Sequence, residues 1–235
     1  MSPDLPDLPK AEAAILEMTN AYRAENSRGA VSLNAALTKA ARAYADHLTR
    51  TADLSHTADG RDPGERAKAA GYQMCAIAEN LALNLDSRGF ESRALARLTM
   101  EGWMNSPGHD RNLLAPHVTE IGIAVARVPD KHPKYVTVQL FGRPLSLAYE
   151  FQIANTTGLP VTYALGEERH EVKPSYAVTH TVCQPQTISF ESAGSGAAAR
   201  RLGARYEARD GLVYTLKSKG AKGIAVDVAP RKTLR

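Results

Sequence analysis

The 235-residue sequence is poor in cysteine and has no long apolar run. Its two cysteines, Cys75 and Cys183, are too few for a disulfide-built scaffold, although they suffice for one bridge. No stretch approaches the roughly 20 apolar residues that a membrane-spanning helix needs, so a helical transmembrane protein is excluded. Hydrophobic residues make up 43% and charged residues 23% of the chain, which is typical of a globular protein and argues against disorder.

The N-terminus also lacks the marks of an export leader. Its first ten residues contain three prolines and two acidic residues, without the basic start and apolar core of a secretory signal. We therefore expect either a protein that stays inside the cell or one whose leader was removed before this numbering begins.

Basic charge is concentrated at one end of the sequence. Residues 1–145 contain 17 basic and 17 acidic residues, whereas residues 200–235 contain 10 basic and 3 acidic residues. Such a cluster indicates either an anionic partner or an ordinary solvated face. Aromatic residues are not interleaved with the basic ones and no nucleic-acid-binding fold is recognisable, so nucleic acid is not an expected partner.

The hydrophobic pattern changes from helical to alternating near residues 142–144. Before this point it predicts four helices and then a hairpin, with strands at residues 121–128 and 135–141. Asn34 should cap the second helix and Asp62 should begin the third. The fourth, at residues 93–104, should bury Leu95, Leu98 and Trp103 and be stopped by Pro107. We therefore predict an α+β domain.

From residue 147 onward, short and mostly alternating segments predict a small antiparallel sandwich or barrel. We expect strands at residues 149–153, 161–165, 187–190, 211–216 and 223–228, with turns at residues 155–158 and 192–196. The tract at residues 197–201 is rich in alanine and arginine. The predicted organisation is a tail at residues 1–9, a first domain at residues 10–143 and a β-domain at residues 146–230.

Three segments carry residues suited to chemistry, and we expect all three in loops: His56 after the second helix, Glu79 in Ala78-Glu-Asn-Leu-Ala82, and His109 after the fourth helix. Two neutral imidazoles and one carboxylate are donors that zinc accepts, with a position left for water. Because His56 and His109 lie 53 residues apart, spacing alone leaves open that each simply bonds a backbone carbonyl. His170 and His180, at the edges of later strands, are expected to be solvated.

The same residues resemble a known family. Ser55-His56, Glu79-Asn80-Leu81-Ala82 and Trp103-Met-Asn-Ser-Pro-Gly-His109, followed by Glu120-Ile-Gly-Ile, occur in the order of the CAP superfamily. This superfamily, whose domain is also called SCP, contains cysteine-rich secretory proteins, antigen 5 and plant pathogenesis-related proteins. The resemblance covers about residues 10–143 and is closest to the short bacterial branch. It implies an α-β-α sandwich with an open cleft and a location outside the cell or in the periplasm.

The family cleft is described as two histidines and two glutamates, which implies roles for His56, His109 and Glu79 as metal ligands for zinc or another divalent cation. The second glutamate would lie three residues after Trp103, where this sequence has Ser106. Glu101 lies on a different face of the helix and should not substitute. Asn80 and Asn112 should brace the cleft through backbone hydrogen bonds. Trp103, Tyr44 and Leu81 either line a ligand groove or belong to the core.

Two functions follow from the resemblance. The first is a binding module for a divalent ion or small ligand, with the β-domain docking to a partner; lipid, sterol or envelope polysaccharide are the ligands that the family suggests. The second is a metal-assisted hydrolase in which Glu79 acts as base on a metal-bound water. Ser106 with His109 as its base, or Cys75 alone, would be further nucleophiles. In an exported protein we expect Cys75 and Cys183 to pair and to hold the Glu79 segment, the alternative being two buried thiols.

Overall fold

The computed structural model describes residues 5–51, 53–191, 201–219 and 223–231, without the side chains of residues 201–203. The chain divides into two compact units, Met1–Ser146 and Leu147–Arg235. The turn expected at residues 192–196, residues 197–200 of the alanine-rich tract and parts of the basic C-terminal stretch lie outside the described residues.

The first unit contains five helices and a four-stranded sheet in its described part. The helices are α1 (Leu8–Glu25), α2 (Ala35–Leu48), α3 (Pro63–Ala69), α4 (Ser92–Met104) and α5 (Pro107–Leu113), and the strands are β1 (Ser32–Leu33), β2 (Met74–Leu85), β3 (Glu120–Val128) and β4 (Lys134–Pro144). The strand order is β1-β3-β4-β2, so that β2 forms one edge. As predicted, the side chains of Asn34 and Asp62 accept from the first backbone amides of α2 and α3.

Both faces of this sheet are covered by helices, which gives three layers. On one face Ile15, Leu95 and Trp103 pack with Ile121 and Ile123. On the other face Leu37, Tyr44 and Ala67 pack with Val136 and Val138. The backbone of α2 lies directly on β3 because Gly122 has no side chain: a Cβ there would meet the carbonyl carbon of Leu37 at 2.2 Å. The predicted α+β class and its α-β-α layering are confirmed.

Several local predictions for the first unit are wrong. The segment around Glu79 and Asn80 is part of strand β2 rather than a loop, and His109 and Asn112 lie on helix α5. Helix α4 ends at Met104, as predicted, but a further helix that the sequence did not predict, α5, begins at Pro107, where the missing N–H costs nothing at the first helical position. Leu98 is not buried, because it faces a surface groove with 44% of its area exposed.

The second unit is a two-sheet β-structure, as the alternating pattern predicted, but it is not wholly antiparallel. Its strands are β5 (Tyr149–Asn155), β6 (Val161–Leu165), β7 (Glu168–Val172), β8 (Ala177–Val182), β9 (Thr187–Glu191), β10 (Arg201–Glu207), β11 (Leu212–Lys219) and β12 (Gly223–Pro230). One sheet has the order β10-β9-β6-β7 and the other β12-β11-β5-β8, in which β5 and β11 pair in parallel. Phe151 and Tyr214 from one sheet share a core with Tyr163, Ile188 and Phe190 from the other. The sequence did not predict β7, β8 and β10.

Two further features concern the whole chain. Both of its cysteines are disulfide-bonded, which confirms the predicted Cys75–Cys183 pair. Among the described helices, none combines the length and the apolar character that a bilayer crossing requires.

Candidate functional site

His56 lies in a tight turn at residues 55–59 that other side chains hold in place. The hydroxyl of Tyr44, on α2, donates to the carbonyl of Ser55 and accepts from the backbone N–H of Ala58 at 3.1 Å. Arg66, on α3, donates to the carbonyl of His56 at 3.0 Å. The backbone of the turn is therefore fixed, while the imidazole of His56 remains 52% exposed.

Glu79 is the buried partner of His56. Its side chain is 1% exposed, and its two oxygens have different partners: Oε1 lies 2.7 Å from Nδ1 of His56 and Oε2 accepts from Nη2 of Arg66 at 2.7 Å. A carboxylate only accepts, so Nδ1 of His56 carries the proton. The lone pair of the neutral ring is then on Nε2, the same arrangement by which a carboxylate orients a metal-ligating histidine in known proteins.

The charges around Glu79 oppose one another. Burial raises the pKa of Glu79 above its ordinary value, while the hydrogen bond from His56 and the positive charge of Arg66 act to lower it. The guanidinium of Arg66 is itself 3% exposed and lies over the ring of Tyr44, with its Cζ 3.5 Å from the ring centroid. Glu79 and Arg66 thus form a buried ion pair that leaves no carboxylate oxygen free.

His109 reaches the same region from α5. Its Nδ1 is buried and has no hydrogen-bond partner within the described chain. Burial lowers the pKa of His109, and the nearby charge of His56 lowers it further, so the two imidazoles are electrostatic neighbours. His109 and Ser106 line a groove of about 300 Å³ with apolar walls, among them Leu54, Leu83 and Leu98.

Side-chain amides join α5 to the edge strand β2. Asn112 donates to the carbonyl of Glu79 at 3.0 Å and to the side chain of Asn80 at 2.9 Å, and Asn80 donates to the carbonyl of His109 at 3.3 Å. Trp103, which is buried, donates from Nε1 to the carbonyl of Leu81 at 2.9 Å. These bonds occupy carbonyls of the edge strand and set the position of His109 relative to Glu79.

The donor set fits a metal ion less well than the sequence suggested. Within the described residues, no group of three or more histidine, cysteine, aspartate or glutamate side chains is arranged to hold an ion. Glu79 is engaged through both oxygens, so the donors that remain are the imidazoles of His56 and His109. Two imidazoles and water molecules would bind a metal ion only weakly. In such a site Glu79 would orient the ring of His56 and would not itself be a ligand of the ion.

The groups that a hydrolase would need are also not assembled here. Nδ1 of His109 has no carboxylate partner among the described residues, so nothing orients it as the base for Ser106. Ser106 begins α5 without a capping bond from its side chain. Cys75 is disulfide-bonded and offers no thiolate. Glu101 is exposed and lines a different cavity, between α1 and α4, so it does not replace the absent second glutamate.

Arg66 is the one member of this site that the sequence did not reveal. It follows the capping-box helix start at Asp62 and Glu65, and its place beside buried Ala67 puts it on the inner face of α3. The sequence did offer one signal for this residue: an arginine on the inner face of a short helix needs a buried anionic partner. The identity of that partner, Glu79, depends on the tertiary fold.

A comparison with models of known protein families identifies the family of the first unit. The model of CAP, the cysteine-rich secretory protein family, matches residues 16–141, which is more than half of the chain, and the chain belongs to this family. It is 26% identical over 113 residues to the uncharacterized protein YkwD of Bacillus subtilis (strain 168), covering 48% of this chain and 41% of that one. The chain therefore spans less than half the length of this curated relative.

Two solved structures that resemble this chain are bacterial proteins. An outer surface protein from Borrelia burgdorferi is 22% identical with a TM-score of 0.49, over 57% of this chain and 92% of that one. An extracellular protein containing an SCP domain from Bacillus anthracis is 23% identical with a TM-score of 0.47, over 58% of this chain and 41% of that one.

Proposed function

We propose that this chain is an exported binding module whose cleft presents His56 and His109 to a divalent cation or a small ligand. Membership of the CAP family, which is described as a family of secretory proteins, supports a location outside the cell or in the periplasm. A lipid, a sterol or an envelope polysaccharide is the class of partner to test first, with the second unit as the docking part.

One observation carries the proposal: the 2.7 Å contact between Nδ1 of His56 and Oε1 of Glu79. It holds the ring through one nitrogen and leaves the other nitrogen, on a half-exposed side chain, for a ligand. A bound divalent cation would supply Lewis acidity at this point. The chain's own residues orient the rings: Glu79 holds His56, and the amides of Asn80 and Asn112 hold α5 with His109.

Binding is favoured over hydrolysis because the side chain of Glu79 is 1% exposed and each of its oxygens already has a hydrogen-bond partner, which keeps it away from a substrate water. Its second oxygen is bonded to Arg66 at 2.7 Å. A general base must reach the proton that it removes, at hydrogen-bond distance and with a free lone pair. Glu79 therefore serves as a positioning residue in this proposal.

Calorimetric titration with Zn²⁺ tests the proposal. We expect binding in the micromolar range or weaker at neutral pH, lost on acidification below about pH 6 as the imidazoles take up protons. His56→Ala and His109→Ala should each abolish binding, while His132→Ala, which removes an imidazole from the β3–β4 turn, should not. Equal affinity in all four proteins would contradict the proposal.

A substitution in the groove provides a gain-of-function test. Ser106 lines the same groove as His109, at the position where the family pattern has its second glutamate. Ser106→Glu should add a carboxylate ligand and tighten Zn²⁺ binding. Turnover on ester or peptide panels that is lost with chelator and regained with zinc would instead support the hydrolase.

A further inference from the structure

A second cavity, of about 350 Å³, lies between α2 and α3, and we refer to it as the α2–α3 cavity. Its floor includes the small side chains of Ala40, Ala43 and Ala70. It is distinct from the groove beside His109, with which it shares no lining residue.

Basic side chains dominate this cavity. Five of its lining residues are basic and one, Asp59, is acidic; the basic ones are Lys39, His47, Arg50, Arg61 and Arg66. Asp59 is already bonded to Arg61 at 2.8 Å and to Arg66 at 3.0 Å. Lys39 and Arg50 are exposed and form no ion pair within the described residues. The cavity therefore has an excess of positive charge that no carboxylate on its lining neutralises.

Two basic residues of α2 share the helix face that lines the cavity. Lys39, Ala43 and His47 are spaced by four residues, so they share one face, and Arg50 follows the helix end. Cations near the last turn interact favourably with the helix dipole, which is sufficient reason for His47 and Arg50. Lys39 lies toward the opposite end of α2, where the dipole offers a cation no benefit. Lys39 and His47 therefore line the cavity from one face of α2.

Arg66 adds a buried donor to this lining. Its side chain is 3% exposed, and its Nε is buried without a hydrogen-bond partner in the described part of the chain. The guanidinium lies on the ring of Tyr44, and that ring is parallel to His47, with centroids 6.2 Å apart and an interplanar angle of 7°. Arginine, lysine and histidine donors around a water-sized or larger cavity are the groups that bind phosphate oxygens in proteins.

We propose that the α2–α3 cavity binds a phosphate group, held by Lys39, Arg50 and His47 at its rim and by Arg66 at its base. The phosphate can belong to a soluble compound, such as a sugar phosphate, or to a lipid headgroup, since both present the same oxygens. This site uses a different cavity and different exposed side chains from the cleft of His56 and His109. The two share Arg66, which also bonds Glu79, so the tests below change Lys39 and Arg50 and leave Arg66 in place.

Titration of the full, oxidised chain tests the site. We expect inorganic phosphate and glucose 1-phosphate to bind, glucose not to bind, and affinity to fall between about 0.01 M and about 0.15 M ionic strength as the charges are screened. Lys39→Ala combined with Arg50→Ala should raise the dissociation constant about tenfold or more. Both side chains are exposed and lack ion pairs among the described residues, so the double variant should fold.

A matched control separates the cavity from general basicity. Arg127 and Lys131 are exposed basic residues of the same unit, outside this cavity, and Arg127→Ala with Lys131→Ala removes the same charge. The control variant should bind phosphate as the parent does. Equal weakening in both double variants, or undiminished binding in the Lys39/Arg50 variant, would overturn the proposal.

Sedimentation with vesicles identifies the source of the phosphate. The probe is vesicles that contain phosphatidylglycerol, and the control is vesicles of pure phosphatidylcholine. If the parent protein sediments with the probe vesicles and the Lys39/Arg50 variant does not, the site binds a lipid headgroup. Binding to glucose 1-phosphate without vesicle binding would assign the site to soluble phosphates. Failure of both probes would overturn the phosphate site while leaving the Zn²⁺ titration of the His56–His109 cleft unaffected.

Discussion

Each unit of the protein contains a pair of neighbouring histidines, and the two pairs have opposite surroundings. In the first unit, His56 is half-exposed and bonded to the buried carboxylate of Glu79. In the second unit, His170 and His180 face inward from β7 and β8, with their ring centroids 5.2 Å apart. His180 stacks on Phe151 and lies 2.7 Å from the hydroxyl of Tyr163.

The difference shows that the use of a histidine is set by its neighbours. The carboxylate behind His56 holds Nδ1 and leaves the outward nitrogen oriented for a ligand. Aromatic rings around His180 offer no compensating charge, and the rings of His170 and His180 are half-buried. The expectation that the two histidines are solvated is therefore wrong in part: they take the inner positions of two strands that end their sheets, but neither is fully buried.

The largest effect should come from breaking the ion pair that supports the first histidine pair. Arg66→Met leaves Glu79 buried without its cation, which should cost about 3–5 kcal/mol of unfolding free energy. Urea unfolding followed by fluorescence measures this in the first unit, because Trp103 is the only tryptophan of the sequence. Arg61→Met is the matched control: Arg61 shares Asp59 with Arg66 but is half-exposed, so its loss should cost about 1 kcal/mol or less. Equal costs would contradict the buried-pair account.

Acidification should affect the second pair next. Burial lowers the pKa of His180, and the charge of His170 lowers it further. The unfolded chain then binds more protons than the folded one, so stability is complete above the unfolded pKa of about 6.5 and falls as the pH decreases through the folded value. The other titratable groups nearby are Tyr163 and Glu168, and Glu168 lies 3.7 Å from His170, too far for a hydrogen bond.

The variant His180→Phe tests this assignment. It keeps an aromatic ring against Phe151 and removes the titration, so the second unit should lose less stability between neutral pH and about pH 5 than the parent does. Amide hydrogen exchange of β6 and β8 measures the second unit by itself. An unchanged pH dependence would show that other groups control its acid sensitivity.

The smallest effect should come from Tyr163→Phe. Burial raises the pKa of Tyr163 to about 12, so its hydroxyl stays protonated, and it forms a hydrogen bond of 2.7 Å with Nε2 of His180. Losing this bond should cost about 1 kcal/mol of unfolding free energy, because the ring of His180 keeps its stacking contacts. Hydrogen exchange of β6 is again the measurement. A cost near that of Arg66→Met would mean that the hydroxyl, and not the ring packing, holds the histidine pair inward.

Much of the first unit could be read from local sequence. The caps at Asn34 and Asp62 lie within three residues of the amides they bond, and the two strands β3 and β4 are separated by a short turn-rich segment. The string from Trp103 to His109 identified the family without any structure. Helix caps, hydrophobic periodicity and the order of motifs depend on residues that are near one another in the sequence, so they can be predicted without a structure.

Strand β2 shows where such reasoning fails. Its polar residues Glu79 and Asn80 favoured a loop, because an unpaired carboxylate or amide inside a sheet layer is costly. The structure satisfies them with partners distant in sequence: Arg66 for Glu79, and Gln139 and Asn112 for Asn80. Strand β7 was missed for a related reason, since the exposed charges of Glu168 and Arg169 conceal the inward alternation of His170 and Val172.

The sequence by itself determined the family, the α+β class, the β-rich second region and the residues His56, Glu79 and His109. The tertiary structure decided what those residues do. It made Glu79 the buried partner of Arg66 and His56, and it brought the half-buried rings of His170 and His180 together. The physical reason is that hydrogen bonding, burial and charge pairing act between atoms that the chain brings together from far apart. Those contacts set both the pKa values and the free lone pairs on which function depends.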